Sequence, residues 1–256
     1  MKNKPMIMTI HTVFLASFSF VLLFWPAGEA SYPDALVKQA MNMQDNEQKI
    51  DLPEPDLRGD VSVEEALHSR RSVRDFRSEP LTLSGVGQVL WAAYGITEPR
   101  PGGPSYLRGG FRTAPSAGAL YPLELYLVAG NVNGLQPGIY RYNPEDHSLD
   151  LMSTGDSREE LSEAALGQEF IEEAPASIVI TAVYERTTQK YGQRGSERYV
   201  CMDAGHSAQN IYLQATALGL GTCAVGAFTD KMVEMVMMLP GKETPLYIMP
   251  LGKIED

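Results

Sequence analysis

The chain is poor in cysteine, histidine and positive charge, and each scarcity removes a class of protein. Cys201 and Cys223 are the only cysteines in 256 residues, too few for a disulfide framework. One bridge would fit, but two unpaired core thiols are the simpler expectation. The four histidines, His11, His68, His147 and His206, show no metal-ligand spacing, so no metal site is expected. Lys and Arg number 21 against 32 Asp and Glu, a net charge of −11. A field of that sign attracts neither nucleic acid nor an anionic membrane surface. Repeats and low-complexity tracts are absent. Ser116 lacks a Gly-x-Ser-x-Gly elbow, which argues against a hydrolase.

The first thirty residues read as separate from the fold. Lys2 and Lys4 give a basic start, Val13 to Trp25 is apolar apart from two serines, and Gly28-Glu29-Ala30 puts small residues where a signal peptidase cuts. Export is the expectation for residues 1–30. An anchor over residues 6–25 is the alternative, although the apolar run is shorter than the ~20 residues that comfortably span a bilayer. Residues 31–60, broken by Pro33, Pro53 and Pro55, read as a linker with one short helix near Ala35 to Met41. Residues 61–256 suit one domain with a core large enough to need no staples.

Within that domain the hydrophobic period alternates between helix and strand. Ser62-x-x-Glu65 is a capping-box pattern, and a short helix over Val63, Ala66 and Leu67 follows it. Val86, Val89, Leu90 and Ala93 signal a second helix, stopped by Gly95. Residues 96–114, rich in Gly and Pro, read as a long irregular loop. Leu123 to Ala129, Gly138 to Tyr142 and Ser148 to Met152 predict an antiparallel meander, and Ile178 to Val183 a buried strand. The longest helix is expected from Ser196 to Leu218, ended by Gly219. A methionine-rich helix from Asp230 to Met238, with its methionines as core filler, and a last strand over 245–252 complete an α+β domain.

Against the acidic background stands Arg70-Arg71-Ser72-Val73-Arg74. Like charges this close repel unless an anion sits between them, and the guanidinium fork suits phosphate. A solvated helix end, whose arginines complement the dipole, is the bland alternative. Gly219-Leu-Gly221-Thr-Cys-Ala224 imitates a dinucleotide fingerprint, but it follows a helix rather than a strand, so the Rossmann reading fails. What remains is a glycine-rich turn to Gly226 whose backbone N–H groups can approach a planar ligand. The small residues of Arg112 to Pro122 would let a backbone lie flat against a ring system.

Taken together, the arginine-serine box, Pro115-Ser-Ala-Gly-Ala-Leu-Tyr-Pro122, Lys190-Tyr-Gly-Gln-Arg-Gly195, Ala204-Gly-His-Ser-Ala-Gln-Asn210 and the turn from Leu218 through Phe228 resemble the nitroreductase superfamily. More narrowly they resemble its SagB-type dehydrogenases, over roughly residues 62–254. That resemblance implies a central, mainly antiparallel sheet flanked by helices, a long central helix, and a homodimer with FMN at the subunit interface. It implies that Arg70, Arg71, Ser72 and Arg74 hold the FMN phosphate and ribityl chain, with Lys253 near the phosphate. Pro115, Ser116, Ala117 and Gly118 would line the ring from the other subunit, and Val225, Gly226 and Ala227 would offer backbone N–H groups to its reactive edge. Lys190 and Tyr191 match a catalytic Lys-Tyr pair that removes a proton, and a lysine among cations can act as a base; an ordinary exposed loop lysine is the alternative. The implied substrate is a small electrophile or a peptide-derived ring, with reductase and dehydrogenase directions both open. An exported flavin- or ligand-binding protein without turnover is the competing function.

Overall fold

The computed structural model describes residues 48–254. The expected signal or anchor, the short helix at 35–41 and most of the linker lie outside the described residues.

A seven-stranded sheet forms the middle layer. Its strands are β1 (Lys49–Asp51), β5 (Leu123–Ala129), β7 (Gly138–Asn143), β8 (Ser148–Thr154), β9 (Ala176–Ala182), β10 (Leu220–Thr222) and β11 (Thr244–Lys253). They lie in the order β1-β8-β7-β5-β9-β11-β10, and every neighbouring pair is antiparallel. The expected meander is present as β5, β7 and β8. Two ribbons stand apart: β2 (Leu81–Thr82) pairs with β6 (Val132–Asn133) in parallel, and β3 (Ile96–Pro99) pairs with β4 (Gly110–Arg112) antiparallel.

The sheet is buried on both faces because β5 and β9 are apolar at nearly every position. Alternation then sends successive side chains to opposite layers. Leu123, Leu125 and Leu127 meet Val86, Val89, Leu90, Ala204, Ala208 and Ile211, carried by α2 (Leu83–Tyr94) and α6 (Val200–Ala217). Tyr126 and Val128 meet Leu161, Ile171 and Val233 on the other side, from α3 (Arg158–Ala164), α4 (Phe170–Glu173) and α7 (Asp230–Val236). Each fully buried Leu or Ile in these layers contributes on the order of 1.5–3 kcal/mol.

Local chemistry sets the ends. Ser62 Oγ accepts from the Glu65 N–H and starts α1 (Val63–Ser69), which closes at Arg70. Thr82 Oγ1 does the same for α2 through the Gly85 N–H. Gly219, at φ 68°, ends the path of α6.

Several expectations are corrected. Ile50 and its neighbours in the expected linker pair with β8, because Lys49–Asp51 finds an unfilled sheet edge there. The expected irregular loop over 96–114 is the β3–β4 ribbon. The long helix begins with a widened π-type turn at Gly195–Tyr199, and Leu218, expected on its apolar face, is 40% exposed. Of the methionines after residue 230, Met237 is buried while Met232 and Met235 face solvent. Cys201 is exposed and only Cys223 is a core thiol, both unpaired. Lys190 and Tyr191 sit not on a loop but at the end of a helix, α5 (Glu185–Tyr191).

Candidate functional site

The arginine box is docked against the sheet edge by its backbone. The Val73 N–H donates to Thr222 O at 2.9 Å and the Arg77 N–H to Lys253 O at 3.0 Å, so residues 72–77 run beside β10 and β11. The approach is close enough that a Cβ at Gly221 would stand 2.8 Å from the Val73 side chain. Tyr212, on α6, ties this segment to the glycine-rich turn. Its hydroxyl lies 2.9 Å from Ser72 Oγ and accepts from the Ala224 N–H at 2.8 Å.

The three guanidinium groups are held by aromatic rings and carbonyls. Arg70 stacks over Tyr212 at 5.1 Å and Arg74 over Phe170 at 5.7 Å. Arg71 Nη1 donates to His68 O at 3.0 Å and Arg70 O at 2.7 Å, at the C-terminal end of α1. None of the three has a carboxylate partner among the described residues. Lys253 differs: its ammonium donates to Glu79 Oε2 at 2.6 Å, so its charge is already answered within the chain.

Beyond Ala224 the turn exposes backbone. The Val225 N–H is spent on Ile248 O at 2.9 Å. Gly226 and Ala227 are exposed, and among the described residues their N–H groups have no acceptor. Of the three positions expected to face a ring edge, only these two have a donor to offer.

A second constellation gathers around residues 115–118. Ser116 Oγ donates to Asp203 Oδ2 at 2.5 Å and accepts from the Tyr121 N–H at 2.9 Å, while Pro115 O lies 3.3 Å from His206 Nδ1. Asp203 is buried on α6, and burial raises its pKa; the bonds from Ser116 and the Ala117 N–H work the other way. Arg112 braces the same loop. Its buried guanidinium lies between the Tyr94 and Tyr121 rings, at 4.5 and 5.1 Å, and burial pulls its pKa down.

The loop brings its glycine against the Lys-Tyr pair. Gly118 has φ +64°, and a Cβ there would stand 2.6 Å from the Tyr191 hydroxyl oxygen and 3.0 Å from Lys190 Nζ. Tyr191 is braced edge-on by Tyr199, with ring centroids 4.9 Å apart. A cavity of about 530 Å³, lined by Tyr106, Arg108, Arg186 and Lys190 among others, opens on the Lys190 side. A larger cavity of about 600 Å³ between residues 56–63, α2 and α6 takes in none of the expected site residues.

The two constellations share α6 but not a face of it. Asp203 and Tyr212 are nine residues apart, roughly half a turn out of phase and about 14 Å along the axis at standard helical geometry. Asp203 and Tyr212 are the side chains of the candidate site that sequence reasoning missed. Asp203 left a signal, a carboxylate three residues after Val200 on an otherwise apolar stripe; Tyr212 left none.

Residues 67–253 match the family described as the Nitroreductase family. A Methanocaldococcus jannaschii protein that carries the name nitroreductase is 46% identical over 204 residues, covering 80% of this chain and 96% of that one. The crystal structure of a Ralstonia eutropha JMP134 protein likewise named superimposes with a TM-score of 0.67 at 31% identity, covering 81% of this chain and 90% of the other. The Microcin B17-processing protein McbC of Escherichia coli is 29% identical over 151 residues, 57% of this chain. The match spans 55% of McbC.

Proposed function

The chain belongs to the nitroreductase family, and on that premise we propose that this oxidoreductase is FMN-dependent, of the SagB type, and works as a homodimer. The observation that carries the FMN assignment is the set of three guanidinium groups without carboxylates, tied through Tyr212 to a turn with two unspent N–H groups. In a chain of net charge −11, such a cluster fits a phosphate, and donors beside it fit the edge of a ring that gains negative charge.

Bound FMN supplies hydride transfer at flavin N5, to or from a small electrophile or a peptide-derived ring. The chain supplies position and protons. Arg70, Arg71, Ser72 and Arg74 hold the phosphate end. Ala117 and Gly118 present a flat backbone, kept in place by the Ser116–Asp203 bond. The Gly226 and Ala227 N–H groups donate where charge collects. Lys190 Nζ and the Tyr191 hydroxyl, both beside Gly118, move the substrate proton. The half-turn offset along α6 supports a site shared between two subunits, since one protomer turns the phosphate cluster and the ring-lining loop away from each other.

The test separates turnover from silent binding. Lys190→Gln and Tyr191→Phe should keep flavin through gel filtration yet slow oxidation of the pre-reduced protein by the electron acceptor 4-nitrobenzoate by about 10²-fold or more, the usual worth of a positioned proton donor or acceptor. Unchanged rates in both variants would refute the role of the pair, and wild-type reduced protein that the acceptor fails to oxidise would favour the binder without turnover. Export through residues 1–30 is part of the proposal; N-terminal sequencing of the mature protein starting near residue 31 would support it, and an intact N-terminus in the membrane fraction would favour the anchor.

A further inference from the structure

One carboxylate near the proposed site serves three arginines. Glu124 is only 3% exposed; its Oε1 accepts from Nη2 of both Arg108 and Arg186 at 2.5 Å, and its Oε2 lies 3.0 Å from Arg141 Nη2. The nearby buried carboxylate of Glu243 acts on Arg141 as well, so Arg108 and Arg186 share Glu124 and about one positive charge is left over between them. The Tyr121 carbonyl fixes the same two groups from the other side, accepting from Arg108 Nη1 at 3.0 Å and Arg186 Nη1 at 3.3 Å. Tyr121 holds φ at 46° to aim it there, a left-handed conformation that costs an L-residue energy.

Arg108 and Arg186 thus converge through a shared acceptor pair, Arg186 Nη1 also reaching Pro122 O at 3.5 Å, and among the described residues the Nε–H of each has no acceptor. Burial lowers the Arg108 pKa, Glu124 opposes that, and the neighbouring Arg186 charge lowers it further. Two like charges held this close, about one fifth exposed, are pre-organised for an anion. Both line the 530 Å³ cavity that also reaches Lys190, and Lys190 Nζ lies against Gly118.

We propose that this cavity recognises a carboxylate on the substrate, with Arg108 and Arg186 as the residues that set a preference for anionic substrates. The inference rests on reading Lys190 and Tyr191 as the reacting end of the site, so that a molecule anchored by its carboxylate presents its reacting atom beside Gly118.

Calorimetric titration of the full-chain protein with 4-nitrobenzoate and 4-nitrobenzamide compares two probes of one shape that differ by a single charge. The acid is expected to bind about 10- to 100-fold more tightly, the usual worth of charge-assisted hydrogen bonds. Arg186→Gln should bring the ratio close to unity, and Arg186→Lys should leave part of it. Equal affinities in the wild type, or an undiminished ratio in Arg186→Gln, would overturn the proposal. N-acetylglycylglycine and its amide, titrated alongside, separate the sources: a preference in both pairs assigns the carboxylate alone, and a preference in the aromatic pair only assigns a small acid. Flavin content on the same samples keeps the two readings apart. Flavin held without acid preference refutes the pocket, whereas acid preference without flavin refutes the cofactor assignment and leaves the pocket standing.

Discussion

Gly118→Ala probes the contact on which the proposed chemistry of Lys190 and Tyr191 depends. The new methyl would stand 2.6 Å from the Tyr191 hydroxyl oxygen and 3.0 Å from Lys190 Nζ, well inside van der Waals contact. Tyr191 cannot retreat freely, because Tyr199 braces its ring, and the loop cannot retreat without stretching the Ser116–Asp203 bond. The backbone adds strain, since φ is +64° at this position, and an L-residue in the left-handed region costs roughly 1–2 kcal/mol. For a domain of this size that strain lowers Tm by roughly 2–8 °C. Displacing the pair by the better part of 1 Å should slow the reacting step by about 10- to 100-fold. The assay is stopped-flow oxidation of the dithionite-reduced holoprotein by 4-nitrobenzoate, with flavin content measured on the same sample. Gly167→Ala is the control: it has φ +71° with nothing within 4 Å of the added Cβ, so it carries strain without contact and should lose Tm but not rate. A Gly118→Ala rate equal to wild type, or an equal loss in Gly167→Ala, would refute the reasoning.

Other perturbations follow from the same contacts. Tyr212→Phe leaves the Ala224 N–H without its acceptor and frees Ser72; urea unfolding should show a loss of about 1–3 kcal/mol, with weaker FMN binding in a fluorescence titration. Glu124→Gln removes the carboxylate that bridges Arg108, Arg141 and Arg186 and should cost about 3–5 kcal/mol. Burial alone would raise the Glu124 pKa, yet the three arginines hold it below the ordinary 4.5. Its folded carboxyl thus binds fewer protons than the unfolded one, so its stabilisation is present above pH 4.5 and disappears as pH falls further; the Glu124→Gln stability profile should be flatter there. His147 bonds the Tyr142 hydroxyl at 2.9 Å and Pro53 O at 3.0 Å, a network that assigns the neutral tautomer with the proton on Nε2. Burial lowers its pKa from 6.5, so the unfolded chain takes up the proton first and stability drops as pH falls through 6.5. His147→Asn, which tolerates the φ of 47°, should flatten the Tm-versus-pH slope between about pH 7 and pH 5.5.

The layers were legible where apolar residues kept a period. Strand β9 reads as apolar at all but Ser177 and Thr181, and α6 keeps Val200, Ala204, Ala208, Ile211 and Ala215 on one stripe. Helix α5 was not legible, because its sequence Glu-Arg-Thr-Thr-Gln-Lys-Tyr buries only Thr187 and leaves no stripe to detect. The β3–β4 ribbon hid for a related reason, since most of its side chains face solvent and its glycines and prolines suggest a loop. For the site, the motif residues were legible as short segments, but their grouping was not. Nothing in the spacing of Gly118 and Lys190 says that they touch, because β5 to β9 intervene. Glu124 did leave a trace, a lone carboxylate inside the apolar run Leu123–Ala129. A charge buried in that position calls for cations from elsewhere in the fold, and Arg108, Arg141 and Arg186 supply them.

The central claim is that the arginine box holds a flavin phosphate. Full-chain protein mixed with FMN, passed through gel filtration and read by its visible absorption, should retain stoichiometric flavin, and the Arg71→Ala/Arg74→Ala variant should retain none while keeping a cooperative unfolding transition. Flavin that stays bound in the variant, or wild-type protein that emerges colourless, would contradict the account.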